Sequence, residues 1–425
     1  MHNSVIKKKP EYPELGASKL KNRLNYIVMY LVFAMGGVPF FSVPKEMKLY
    51  VFLIIAGLFF KYSKKIDNSI IIVTLFFALI FYIQKIAFGG GTFVNFGLIF
   101  LIVAAPYFAL KFVGHSFYKY YINITYFFAV IGLVFYTLSV LSPAFYNFTG
   151  RLAPMLGTDP TGVVQESFIF YTYERDLSTF LRSPGPFWEP GAYATFLSIA
   201  LIFHIIETRS LTNKKSLVFI IAMITTFSTA GFITLFLIIL SSVIALNIRN
   251  KRYYYWALPF ILVAAVYSYD KFDFLGQKIE YQYGTQMEKS LDHQNAGRFL
   301  AARKSLTSIS RYPITGRGLV AQTAAEEDSD EDGAYGFIDL AARIGLIGFV
   351  LYFTFLWKGF EWLCQINKTS RLFARLAVIS LLGVLFAQGV YFRPIFFMII
   401  YLPIVLRFSP LSRVNLLKNT AASIK

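Results

Sequence analysis

Apolar residues dominate the chain in long runs, separated by short polar and basic stretches. The runs fall at residues 26–41, 49–60, 69–87, 93–113, 122–141, 192–206, 217–227, 232–246, 255–267, 337–357, 372–390 and 391–406. Most approach the length that an α-helix needs to cross a hydrocarbon layer, about 20 residues. The second, seventh and ninth are short, as expected of tilted, broken or re-entrant segments. The pattern predicts an all-α polytopic membrane protein of about 12 transmembrane helices in one integral membrane domain covering residues 1–425.

Two stretches interrupt the pattern. They predict two long extracytoplasmic loops, at residues 142–191 and 268–336. The second holds an amphipathic segment, with Phe299, Ala302, Leu306 and Ile309 at helical spacing. Gly297 precedes it and Pro313 ends it. It is too polar to span, so a helix lying on the membrane surface is expected. The loop closes on an acidic run, residues 326–332, whose simplest account is a solvated charge block.

Composition agrees. Hydrophobic residues make up 56% and charged residues 15% of the chain, against about 25% charged in a soluble domain. The net charge of +18 raises the possibility of a nucleic-acid partner, but its distribution argues against one. The cations sit in short loops between apolar runs and at both ends, among them Lys7, Lys8, Lys9, Lys64, Lys65, Lys111, Lys119, Arg209, Lys214, Lys215, Arg249, Lys251, Lys368, Arg371 and Arg413. The alternate short loops hold only Lys45, Lys48 and Arg393. This asymmetry places both termini in the cytoplasm and the two long loops outside. The polar, basic stretch before the first run does not read as a cleavable signal. The single cysteine, Cys364, cannot form an intrachain disulfide.

The first long loop ends in Arg182-Ser183-Pro184-Gly185-Pro186-Phe187-Trp188-Glu189-Pro190-Gly191. Pro190 suits the first position of the following helix, and Glu189 would stand at that helix's positive end. Plain helix capping by Glu189, and a lipid phosphate met by Arg182, are the simpler readings. In the second loop, Arg298 opens the amphipathic segment, and Arg303, Arg311 and Arg317 follow. Arginine suits a diphosphate because its planar fork donates two parallel hydrogen bonds and keeps its charge. The simpler account is that these arginines hold headgroups at the interface. No His/Cys/Asp group has metal-ligand spacing. No Gly-rich phosphate loop is followed by Lys and Ser/Thr, so neither a metal, a nucleotide nor another cofactor is expected. His204 lies within an apolar run, and His293 in the second loop is a weak candidate for catalysis.

Several short motifs resemble the bacterial O-antigen polymerase and O-antigen ligase superfamily. They are Arg182-x-x-Gly185-x-Phe187-x-Glu189-Pro190-Gly191, Gly297-Arg298, Tyr312-Pro313-Ile314-Thr315-Gly316-Arg317-Gly318, and Tyr335-Gly336-Phe337-Ile338-Asp339-Leu340 followed by Gly345-Leu346-Ile347-Gly348. The resemblance covers roughly the second half of the chain. It implies a C-type glycosyltransferase-like fold in the bacterial inner membrane, active on its outer face. The implied donor is an oligosaccharide on undecaprenyl pyrophosphate, bound by Arg182, Arg298, Arg303, Arg311 and Arg317 without a metal. Membrane lipids and a chain-length regulator protein are the implied partners, and no nucleic acid. Ligases of the family carry His-Asn where Ala334 and Tyr335 stand here, which favours a polymerase. A carboxylate must then take the acceptor's proton, with Asp332 and Glu331 the first candidates and Glu189 the competitor. The alternatives are a ligase-type transferase to lipid A core, or a flippase for the same lipid-linked unit. A flippase would keep its charges in a central cavity between short loops.

Overall fold

The computed structural model describes residues 19–42, 44–62, 66, 68–88, 93–158, 164–173, 181–246, 298–318 and 336–405. The expected span at 255–267, most of the second long loop, and both chain ends lie outside these residues, as do His293, Glu331 and Asp332.

The architecture is mostly helical. The helices are α1 (Lys19–Met35), α2 (Pro39–Ser42), α3 (Lys45–Tyr62), α4 (Asn68–Phe88), α5 (Phe93–Val113), α6 (Phe117–Leu141) and α7 (Pro143–Leu152). They continue as α8 (Pro190–Thr208), α9 (Lys214–Thr225), α10 (Thr229–Ala245), α11 (Arg298–Arg311), α12 (Phe337–Ile366), α13 (Arg371–Ala387) and α14 (Pro394–Val405). Among the described residues, α6, α8 and α12 are long and apolar enough to cross a membrane. Residues 100–113, α10 and α14 are shorter apolar helices.

Burial separates two kinds of apolar helix. α8 is enclosed along almost its whole length, from Pro190 to Ile206, and packs against α6, α9, α10 and α13. α14 is enclosed over most of its length as well, whereas α4 and α6 show a bare apolar stripe. Leu75, Leu79, Tyr82 and Ile86 are exposed on α4, and Phe127, Val134, Leu138 and Leu141 on α6. Exposed apolar side chains at helical spacing suit contact with lipid.

Without a hydrophobic drive between helices in lipid, close packing and buried hydrogen bonds hold the bundle. Gly359 of α12 lies against the Ile399 backbone of α14. Ser241 and Ser380 join α10 to α13 at 3.1 Å. The Tyr401 hydroxyl donates to the Val103 carbonyl at 3.0 Å, and that of Tyr352 to the Tyr391 carbonyl at 2.6 Å.

The all-α expectation needs one amendment. The first long interval contains α7 and a small antiparallel sheet of β1 (Met155–Thr158), β2 (Val164–Ser167) and β3 (Thr172–Tyr173), in the order β1-β2-β3. Met155 pairs with Glu166, and Glu166 with Tyr173. Strands of two to four residues are too short to show an alternating pattern in the sequence. What holds the sheet in place is an aromatic cluster. Tyr171 stacks on Phe135 of α6 at 5.5 Å, and Tyr173 lies 5.4 Å from Tyr146 of α7.

Two helix boundaries also differ from the apolar pattern. The last two apolar runs adjoin without a polar break, yet α13 ends at Ala387 and α14 begins at Pro394. Proline suits a first helical position and ends what precedes it, which leaves residues 388–393 as a loop. α12 is broken inside its first third, where Gly345 has φ 72° and ψ 169°.

Candidate functional site

Two helix ends and one loop form the site. The first end is the mouth of α8. The Ser183 N–H donates to the Thr225 carbonyl at 2.9 Å, and Arg182 Nε donates to the Thr226 carbonyl at 3.2 Å. Arg182 is therefore fixed to the turn between α9 and α10. Gly185 has φ 53°, and a side chain there would meet the Tyr193 ring. Phe187 stacks on Phe196 with centroids 4.1 Å apart. Trp188 lies against Gly37, where a β-carbon would collide with its ring. These contacts lock the approach to Glu189, the N-cap residue of α8.

The Glu189 side chain makes no capping hydrogen bond. It neighbours Arg393, whose guanidinium stacks 4.6 Å from the Trp188 ring centre. Burial pushes the Arg393 pKa down to about 10, and the Glu189 charge opposes that shift. Arg393 thus keeps its charge at neutral pH. Gln388, on the same loop, is buried and lies against Gly191.

The second end is the start of α12. The break at Gly345 takes α12 out of helical hydrogen bonding and leaves carbonyls that the segment 313–318 uses. The Arg317 N–H donates to the Ala342 carbonyl at 2.7 Å, the Gly318 N–H to the Arg343 carbonyl at 3.2 Å, and the Leu346 N–H to the Pro313 carbonyl at 2.8 Å. Gln84 of α4 bridges the two strands of this junction. Its side-chain amide donates to the Thr315 and Arg343 carbonyls at 3.0 and 2.9 Å. Glycine is required on both sides. Gly316 has φ 68°, and a β-carbon on it would run into the Arg343 carbonyl, while one on Gly345 would run into that of Ile314.

Seating this segment places Arg317 over Asp339. The Asp339 carboxylate has no exposed surface. It accepts from Arg317 Nη2 at 2.7 Å on one oxygen, and from Arg343 Nε at 2.7 Å on the other. The Tyr391 hydroxyl donates to that second oxygen at 2.7 Å. Burial raises the Tyr391 phenol, so it stays protonated and donates. Loop 388–393 thus touches both ends, through Tyr391 at α12 and through Arg393 at α8.

The predicted site residues divide accordingly. Arg317 and Glu189 stand in the two charged clusters just described, and Arg182 is anchored on the α9–α10 turn. Arg298 is the first residue of α11, and Arg303 and Arg311 are exposed on that helix, which packs against α12. Ser305 faces the protein and Leu306 points outward. Asp332 and Glu331 lie outside the described residues. Among the described residues, no group of three or more His, Cys, Asp or Glu could hold a metal ion.

Asp339 and Arg343 stand four residues apart, at the spacing of helical neighbours, whereas Tyr391, Gln84 and the role of Arg393 were missed from the sequence. For Arg393 there was a signal. It is one of the few cations on the side that the charge asymmetry leaves poor in them, and such a residue is a functional candidate by default.

The segment 216–353 matches the family described as O-antigen ligase. The match takes in α9 to α11 and the first half of α12, with Arg298, Arg303, Arg311, Arg317, Asp339 and Arg343. Arg182, Glu189 and Arg393 lie outside it. No curated protein and no solved structure matches the chain. Over residues 216–353, then, the chain is similar to the O-antigen ligase family, in keeping with the O-antigen polymerase and ligase superfamily that its motifs resemble.

Proposed function

We propose that the protein is a polymerase of lipid-linked oligosaccharide repeat units, working at the outer face of the bacterial inner membrane. In this reading, it moves the growing chain from undecaprenyl pyrophosphate to a hydroxyl of a fresh lipid-linked repeat. The family match supports a glycosyltransferase of the polymerase or ligase type acting on lipid-linked oligosaccharides. The observation that carries the reading is the Arg317–Asp339–Arg343 cluster, which holds two guanidinium groups around one buried carboxylate inside the matched segment.

The chemistry follows from charge. Breaking the bond between the sugar and the diphosphate leaves negative charge on the diphosphate, and cations held in place beforehand stabilise that transition state. Arg317 is held in this way. Arg182 is anchored through Nε to a carbonyl, Arg303 and Arg311 are exposed on α11, and Arg298 opens that helix. The acceptor hydroxyl needs a carboxylate base. Glu189, bare of a capping bond and beside Arg393, suits that role, and Asp332 and Glu331 of the acidic run compete for it. The absence of His-Asn at Ala334 and Tyr335 supports a polymerase over a ligase. A chain-length regulator protein is the proposed partner, with both termini in the cytoplasm.

The test is polymerisation of purified lipid-linked repeats by the protein in proteoliposomes, with EDTA and without nucleotide. Long chains should form. A strict need for a divalent ion or for ATP contradicts the mechanism. Transfer to lipid A core in place of a second repeat unit moves the assignment to a ligase.

A further inference from the structure

We infer that Asp339 is a positioning residue: it fixes the Arg317 guanidinium toward the donor diphosphate, and Tyr391 holds Asp339 in turn. The inference rests on the reading of Arg317 as a diphosphate ligand.

Arg317 sits on a loop, and an arginine there samples many rotamers unless something restrains it. Two restraints are present. The backbone is pinned by the hydrogen bond from its own N–H to Ala342, and by Gln84 at the adjoining Thr315 and Arg343 carbonyls. The side chain is pinned by the 2.7 Å ion pair with Asp339, whose carboxylate is wholly enclosed while Arg317 keeps 16% of its side chain exposed. The carboxylate is thus on the protein side and the cation on the open side, the order needed for a held cation to meet a ligand.

Asp339 itself is badly placed to act on the acceptor. One of its oxygens takes the Arg317 guanidinium and the other takes Arg343 and the Tyr391 hydroxyl. With no exposed surface, it offers an acceptor hydroxyl no approach. Tyr391 is itself anchored on α12, because the Tyr352 hydroxyl of that helix donates to its carbonyl. The alternative is a structural role only, an ion cluster that seals the broken turn of α12.

A double-mutant cycle separates the two. Turnover of lipid-linked repeats, extracted from cells deleted for this chain, is measured in proteoliposomes for the whole protein and for Arg317→Lys, Asp339→Asn, Tyr391→Phe and the two double variants with Arg317→Lys. Each rate is normalised to folded protein. Arg317→Lys should lose about 100-fold, as for one lost transition-state donor. Asp339→Asn should lose at least tenfold, and Tyr391→Phe about tenfold, as for one lost hydrogen bond to a charged group. If Asp339 acts through Arg317, each double variant should be no slower than Arg317→Lys alone, within about threefold. Losses that multiply assign Asp339 a structural role and overturn the inference while leaving the function intact. A wild-type rate for Asp339→Asn overturns it as well. A wild-type rate for Arg317→Lys removes the diphosphate reading of that residue and the inference with it. If Asp339→Asn does not fold, the cycle with Tyr391→Phe decides alone, since it keeps the ring and removes one hydroxyl.

Discussion

The two ends of α8 and α12 each carry a charged cluster, built from the same residue types in different ways. At the N-terminal ends, Asp339 is enclosed and makes three contacts of 2.7 Å. At the C-terminal ends, Lys119 and Glu207 stand 3.7 Å apart with 54% and 30% of their side chains exposed, and His204 Nδ1 lies 3.9 Å from Glu207. Arg209 donates to the Asn367 and Lys368 carbonyls at 2.9 and 2.7 Å. That is a cation at a helix C-terminus, satisfying carbonyls that the helix leaves unpaired. Charge alone therefore does not mark a site. A half-exposed pair contributes about 0–1 kcal/mol. Removing one partner of an enclosed pair costs about 3–5 kcal/mol, because the other charge is left without compensation. A membrane protein that keeps an enclosed cluster needs a use for it.

The contrast holds only if the two clusters face opposite sides of the membrane. Reporter fusions at Asp159 and Glu288 should give an all-or-none outer signal, and one at Lys214 a cytoplasmic signal. A cytoplasmic signal at either of the first two sites removes the two-loop arrangement.

The next effect is on rate. Arg182→Lys and Arg298→Lys keep the charge and lose the fork, so polymer formation should fall about 100-fold in each with normal amounts of folded protein. Gel analysis of chain length checks this, and full-length polymer from both variants rules the role out. The base is decided in the same assay at saturating acceptor. Asp332→Asn and Glu331→Gln are compared with Glu189→Gln, and the variant that folds but loses turnover identifies the carboxylate.

Stability comes third. Asp339→Ala should cost about 3–5 kcal/mol. Gly345→Ala should cost at least about 1–3 kcal/mol, since φ 72° with ψ 169° belongs to a region held almost only by glycine. Thermal unfolding in detergent should report both, with Gly345→Ala also losing activity as segment 313–318 is displaced. The smallest effect sharpens the contrast. Lys119→Ala or Glu207→Gln should shift stability by about 1 kcal/mol or less and leave turnover within about twofold. A loss as large as that of Arg317→Lys would erase the distinction between the two ends.

Much of the helical frame was legible in the sequence. A helix in lipid must satisfy its backbone internally and show the solvent an apolar face, so each span writes itself as a local run. Helices occupy the described apolar runs for that reason. Arg317 and Glu189 were also legible, because glycine, proline and charge crowd together where a loop meets a helix. Other features had no local signature. Strands of two to four residues are too short for one, and the loop at 388–393 lies where two apolar runs touch.

Residue pattern alone shows that the chain is helical and apolar, where its basic loops lie, and which arginines stand beside helix starts. Packing brings Arg317 to Asp339, lets Gln84 bolt their junction from α4, and sets Tyr391 and Arg393 at the two helix mouths from one loop. These partners are 22 to 259 residues apart. Periodicity reports what a residue's own helix needs, whereas an ion pair between elements forms only once packing has brought them within 3 Å.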